Sequence, residues 1–267
     1  MSGNLLGVSK LEVVYGRSVL AIQGISFDVA EGSVVALVGL NGAGKTSTIR
    51  AITGFLPTEN VRVTDGDIRF DGRSVRGWQP FEASAAGIAV VPERNKVFDH
   101  LTVKENLELS LLTRRSEPRE GFRSCDDVFD QFTFLGEKRD EEALVLSGGQ
   151  RQMLAIAACL LTGPRLLVVD EASLGLSPQM TQKVMALLKD LNQRLGLTIL
   201  VVDQNVAAVL AIADYGYVLE NGRIVFDDTA KALMEHGDVQ EFYLGKKDGG
   251  EAGYRNLKQY RRTRRWY

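Results

Sequence analysis

Apolar and polar residues alternate through Val13 and Tyr15 and again over residues 25–29, which predicts antiparallel strands with one buried face. Residues 34–38 are apolar throughout and run into a glycine, the pattern of a parallel strand buried on both faces. A glycine-rich turn follows, then a helical stretch over 46–55 that stops near Pro57. Residues 66–72 read as a short strand between turns, and 87–91 as another apolar strand. From 100 to 160 the spacing is mostly helical, with a charged and loose stretch at 114–123. Strands return at 166–169 and 198–202, on either side of a helical stretch at 178–195. Strand–helix alternation of this kind points to an α/β fold with a mainly parallel sheet. The helical middle interrupts it and is expected to be an inserted subdomain.

Composition narrows the class without naming it. The chain has 267 residues, 45% apolar and 25% charged, enough to bury a core without disulfides or metal. Its longest apolar run, residues 153–161, is far short of the roughly 20 residues needed to span a bilayer. The first residues carry no basic region ahead of an apolar stretch, so no secretory signal is expected. Two cysteines, Cys125 and Cys159, without CxxC spacing, and two histidines, His100 and His236, argue against a zinc site or a disulfide framework. A reducing, cytoplasmic setting is the expectation. The net charge of −2 hides an asymmetry: residues 246–267 hold eight Lys/Arg against two acids, a net of +6, which leaves −8 for residues 1–245.

Chemistry enters at Gly39-Leu40-Asn41-Gly42-Ala43-Gly44-Lys45-Thr46, which fits G-x-x-x-x-G-K-[ST] between a predicted strand and a predicted helix. Glycines let backbone N–H groups turn inward around phosphate oxygens, and the helix N-terminus adds a favourable dipole. Lys45 would reach the β- and γ-phosphates of a nucleotide, the Thr46 hydroxyl a Mg²⁺ ion, and Ser47 the α-phosphate. At residues 165–171 an apolar strand ends in Asp170 and Glu171. Beside a phosphate loop, Asp170 would hold Mg²⁺ and Glu171 would orient and polarise a water against the γ-phosphate. Standing alone, the same run is a strand meeting solvent.

The segment Leu146-Ser147-Gly148-Gly149-Gln150 completes an ordered set. Together the three motifs resemble the ATP-binding subunits of ABC transporters, over roughly residues 8–245. The resemblance implies a phosphate-loop NTPase core with an antiparallel β subdomain, forming a cassette over 1–245. The helical subdomain would span about 94–160, and a basic tail 246–267. It implies ATP and Mg²⁺ as ligands and a head-to-tail dimer in which Ser147, Gly148, Gly149 and Gln150 act on the partner's ATP. Ser147 also reads simply as a helix cap. Tyr15 matches the aromatic that stacks on adenine, although a strand aromatic is as readily core. Residues 173–178 match the loop that crosses the dimer interface, with Ser177 where many members have Asp and Ala172 in place of a frequent proline.

Two positions depart from the general family pattern. Glu93 stands where a Gln usually ligates Mg²⁺ and senses the membrane domain, and Gln204 stands at the switch position usually filled by His. A carboxylate still ligates Mg²⁺. A Gln still orients water and γ-phosphate but does not titrate near neutral pH, which leaves the base role to Glu171. Residues 87–93, 97–98, 101–107, 170–178, 202–205 and 217–224 are similar to the ATPases of branched-chain amino-acid importers, a branch that also serves urea and amides. That resemblance implies a second ATPase subunit (homo- or heterodimer, the latter favoured), membrane permeases, an extracytoplasmic binding protein and a peripheral place on the cytoplasmic face of the inner membrane. The segment 58–65 is longer than the branch leads one to expect.

The rival reading is a soluble ABC ATPase in translation, repair or iron–sulfur assembly. A single cassette without a long coiled-coil insertion speaks against the first two. The tail is either a solvated charge run or a contact for anionic lipid or the permease, through Arg261, Arg262, Arg264, Arg265, Trp266 and Tyr267. No motif suggests nucleic acid.

Overall fold

A computed structural model describes residues 3–16, 18–56, 61–94, 96–114 and 121–244. The basic tail 246–267, residues 58–60 of the long segment and most of the charged stretch 114–123 lie outside the described residues.

The alternating N-terminal segments form an antiparallel pair, β1 (Asn4–Tyr15) and β2 (Val19–Ala30). With β4 (Val61–Phe70) and β5 (Arg73–Ser74) they make a four-stranded sheet of order β2-β1-β4-β5. The strand expected over 66–72 therefore begins earlier. Its first half, Val61-Arg62-Val63-Thr64-Asp65, carries a short alternation in which Val61 is buried and Val63 packs on the second apolar cluster, and it pairs with β1 from Tyr15↔Val61 through Glu12↔Asp65.

The second sheet has the order β10-β9-β3-β8-β7-β6. Its parallel strands are β3 (Val34–Val38), β6 (Ile88–Val91), β7 (Leu166–Asp170), β8 (Thr198–Asp203) and β9 (Tyr215–Glu220), edged by antiparallel β10 (Arg223–Thr229). Every residue of β3, β7 and β8 is buried. Successive side chains point to opposite faces. Ala36, Val169 and Val201 accordingly join one apolar cluster, with helices α6 (Gly148–Leu161) and α7 (Pro178–Leu195). Val35, Leu37, Val168 and Val202 join the other, with α1 (Lys45–Thr53) and the four-stranded sheet. The central sheet is thus covered on both sides, which is why its strands read as unbroken apolar runs.

α1 ends at Gly54, whose left-handed φ of 81° and N–H bond to Arg50 O close the last turn before Pro57 is reached. The helical middle comprises α3 (Val103–Thr113), α4 (Cys125–Gln131), α5 (Thr133–Glu137), a 3₁₀ turn at Ala143–Val145, and α6. A short α2 (Pro80–Ala86) precedes it. Past β8 lie α8 (Val206–Leu210), α9 (Ala230–Glu235) and α10 (Gly237–Phe242).

Candidate functional site

The phosphate loop sits between β3 and α1, and its shape is set by what surrounds it. A Cβ on Gly39 would lie 2.2 Å from the Leu219 carbonyl oxygen of β9, so only glycine lets the loop leave the strand there. Gly44, the residue before α1, has φ 111°, and α1 has no side-chain cap. Its first N–H groups are left for an external acceptor. The β9–β10 turn holds the loop from outside: Gly222 N–H donates to Ala43 O at 2.8 Å. That turn is Asn221-Gly222, both with positive φ (48° and 75°), as a tight hairpin requires.

An open cleft of ≈ 440 Å³ lies over the loop, lined by Asn41, Gly42, Gly44, Lys45, Thr46, Ser47, Glu93 and Glu171, with Ala21, Arg94 and Leu174 at its rim. Of the residues singled out in the sequence, these come together around one space. Lys45 is buried, donates to Gly39 O at 2.9 Å and to Leu40 O at 3.3 Å, and pairs with Glu171 Oε1 at 3.1 Å. The loop's own carbonyls and Glu171 thus hold the ammonium beside the cleft.

Asp170 ends β7 and Glu171 follows it, both buried. Glu171 has φ 51°, a left-handed conformation costing roughly 1–3 kcal/mol for a residue with a side chain. Its N–H donates to Val202 O at 2.7 Å, which anchors the turn on β8. Burial pushes the Asp170 carboxyl up to about 7, helped by the negative charges of Glu171 and Glu93 and opposed by Lys45 and Arg50. Burial also raises Glu171, against the pull of Lys45. Asp170 Oδ1 and Glu171 Oε2 are buried with no hydrogen-bond partner among the described residues.

Two unused carboxylate oxygens with raised affinity for positive charge suit a small divalent cation. Among the described residues no three His, Cys, Asp or Glu side chains gather closely enough to hold a metal unaided. Mg²⁺ is commonly bound by one or two carboxylates completed by phosphate oxygens and water, and this donor set fits that pattern.

Glu93 lies in the cleft wall and pairs with Arg94 Nε at 3.2 Å. Tyr15 is half-buried against the second apolar cluster, as a strand aromatic of the core would be, and its hydroxyl hydrogen-bonds the Ser47 hydroxyl at 3.0 Å. Gln204 follows β8, and its backbone N–H works against the rise of the Glu171 carboxyl.

Ser147, Gly148, Gly149 and Gln150 do not line the cleft. They form the first turn of α6. Ser147 Oγ accepts from Gln150 N–H at 3.3 Å, while Gln150 Oε1 accepts from Ser147 N–H at 2.9 Å, a reciprocal cap. Ser147 and Gly148 are exposed. Gly149 is buried, and a Cβ there would meet Met180 Cε at 2.3 Å.

Sequence reasoning missed Asp203. It is wholly buried, and its carboxylate accepts from Ser173 N–H at 2.8 Å, Ser173 Oγ at 2.7 Å and Asn205 N–H at 2.8 Å. It ties the loop after Glu171 to the loop carrying Gln204. The available signal was an acid at the end of an apolar strand, the same signal that marked Asp170.

Residues 22–174 match the model of the ABC transporter family. The chain is 37% identical over 242 residues to a high-affinity branched-chain amino acid transport ATP-binding protein of Pseudomonas aeruginosa, covering 90% of this chain and all of the relative. It is 34% identical to a probable branched-chain amino acid transport ATP-binding protein of Archaeoglobus fulgidus, covering 84% of this chain and 92% of that one. Among solved structures, an ABC transporter cassette in its ADP conformation superposes with a TM-score of 0.74 at 28% identity, covering 92% of this chain and all of the other.

Proposed function

The chain belongs to the ABC transporter family of ATP-binding cassettes, and from that premise we propose that it is the ATP-hydrolysing subunit of an importer for branched-chain amino acids or related small solutes. The observation that carries this reading is the cleft that joins the phosphate loop, Lys45 and Glu171 while leaving the Ser147 helix end elsewhere on the surface. One chain thereby offers two halves of a nucleotide site, and a second subunit is needed to close either.

ATP enters the cleft with its phosphates on the N–H groups of residues 41–47. The Lys45 ammonium turns from Gly39 O and Leu40 O toward the β- and γ-phosphates. Thr46, Asp170 and Glu93 are the residues that would hold Mg²⁺, which when bound neutralises phosphate charge. Glu171, freed from Lys45 by the incoming phosphates, accepts a proton from a water beside the γ-phosphate. Its strained backbone and buried carboxylate keep it aimed and basic. Gln204 stands next to it as a hydrogen-bonding group that does not titrate. Ser147 and Gly149 of the opposing subunit cover the γ-phosphate with hydroxyl and amide donors, and Tyr15 supports the adenine side.

No helix among the described residues is long and apolar enough to cross a membrane. We place the subunit peripherally, at the cytoplasmic face of the inner membrane, held by permease subunits that supply the spanning helices. The names of the relatives favour this over a non-transport role in translation, repair or iron–sulfur assembly. Purification of the tagged chain from membranes in mild detergent tests it. Recovery of polytopic membrane proteins with branched-chain amino-acid-stimulated ATPase is expected once a binding protein is added. Recovery of ribosomes or soluble scaffolds alone overturns it.

A further inference from the structure

Among the described residues, two acids and two cations line the nucleotide cleft, and they are paired one to one. Lys45 Nζ answers Glu171 Oε1 at 3.1 Å, and Arg94 Nε answers Glu93 Oε1 at 3.2 Å. Both members of the first pair serve the chemistry above. In the second pair, Arg94 has no part in it. The two cations are also held differently. Lys45 is buried and fixed by Gly39 O and Leu40 O as well as by Glu171. Arg94 is held at Nε, its side chain is 83% exposed, and its two Nη groups have no partner among the described residues.

An exposed ion pair between neighbouring residues is weak and opens readily. Arg94 thus brings to the cleft a planar fork of donors with its two outer groups free, the geometry that matches a phosphate. Glu93 gives the pair its place. Its negative charge acts on Asp170 together with that of Glu171, so Glu93 stands at the acid end of the cleft. A carboxylate there repels a triphosphate unless its charge is met. In the reading above Glu93 turns to Mg²⁺ when nucleotide binds, which leaves Arg94 without its partner beside the terminal phosphate.

We propose that Arg94 is a phosphate-binding residue of its own chain's cleft, and that its guanidinium takes hold of the γ-phosphate of ATP once Glu93 releases it. The inference rests on the ATP-site reading above and adds a substrate contact to it. Lys45 and Arg94 then share the charge of the terminal phosphate, in a reaction that positioning and charge neutralisation chiefly drive. ADP lacks that phosphate and leaves Arg94 with Glu93. The residue thereby lets the cleft tell triphosphate from diphosphate.

The test uses the full chain at a concentration where sedimentation shows a monomer, so that no second subunit contributes. Calorimetry gives the Kd of the magnesium complexes of ADP and of the β,γ-imido analogue of ATP, which is not hydrolysed. Arg94→Gln weakens binding of the analogue about tenfold, a step of about 1.4 kcal/mol, and binding of ADP less than about twofold. Retained ADP affinity shows that the variant is folded. Arg94→Lys, which keeps the charge without the fork, loses about threefold for the analogue. The Arg94→Gln step is then repeated in a Glu93→Gln background, where the ion pair is absent, and the tenfold loss remains. A loss that disappears in that background overturns the proposal, because Arg94 then does no more than neutralise Glu93. Equal losses for the analogue and ADP overturn it too, as does no loss for either. A wild-type chain that binds neither nucleotide sinks the ATP-site reading as well, whereas wild-type binding with any of those three outcomes sinks the role of Arg94 alone.

Discussion

Lys45 Nζ stands 3.1 Å from Glu171 Oε1, with both side chains almost fully buried. The group that would bind phosphate and the group that would activate water are therefore each other's counter-ion until nucleotide arrives. This pairing accounts for two buried charges in one cleft. Under the proposed function, ATP would take Lys45 from Glu171 on binding and so free the base.

Lys45→Ala is expected to weaken Mg·ATP binding by about one to two orders of magnitude, from the loss of charge-assisted bonds worth ~1.5–3 kcal/mol. It also strands Glu171, so the Glu171 carboxyl should rise further. Calorimetry and a pH series of binding read both effects. Unchanged affinity would show that the loop binds phosphate without the lysine.

Glu171→Gln is expected to keep nucleotide binding within a few-fold and to lose about 10²–10⁴ in turnover, the usual worth of a positioned base. Single-turnover hydrolysis with the assembled complex gives the number. A rate near wild type removes Glu171 from the base role.

Asp170 sets a pH dependence of stability. Its folded-state value of about 7 lies above the ordinary 3.8, so the folded chain holds more protons than the unfolded chain between those pH values. The nucleotide-free chain in chelator should lose stability as pH rises from about 4 to 7, by roughly 2–4 kcal/mol. Asp170→Asn should flatten most of that slope, leaving the smaller share due to Glu171. Thermal melts across pH decide it. An equal slope in wild type and Asp170→Asn would rule the assignment out.

Two glycines should differ in tolerance. Gly39→Ala drives a methyl against the Leu219 carbonyl of a buried strand, which has nowhere to move, and should cost about 3 kcal/mol or more. Gly149→Ala meets the flexible end of Met180, with Met180 Cγ behind it at 3.3 Å, and should cost about 1 kcal/mol. Denaturant titration ranks them. Met180→Ala should relieve Gly149→Ala, whereas Leu219→Ala should leave Gly39→Ala unrelieved, because the clash there is with backbone.

Much of the site is legible in the chain because its chemistry is local. The run 39–46 carries its own glycines, lysine and threonine, and the apolar run of β7 leads directly into Asp170 and Glu171. The all-apolar β3, β7 and β8 announce a sheet covered on both faces for the same reason. The first half of β4 was hidden because its apolar signal is only two residues, Val61 and Val63, and its inner face is defined by packing on the second cluster with β1 alongside.

The sequence by itself determined a phosphate-binding α/β chain with an acid pair in reach and a third motif that resembles one family's. Tertiary structure alone decided how those parts meet. It set β9 and the Asn221–Gly222 turn against the loop, so that Gly39 and Ala43 answer to residues almost 180 positions away. It pointed Asp203 at Ser173 and left the Ser147 helix end outside its own chain's cleft. The physical reason is that a motif fixes its own backbone and side-chain chemistry. Burial, counter-ions and open surface depend on which distant segments the sheet order brings together.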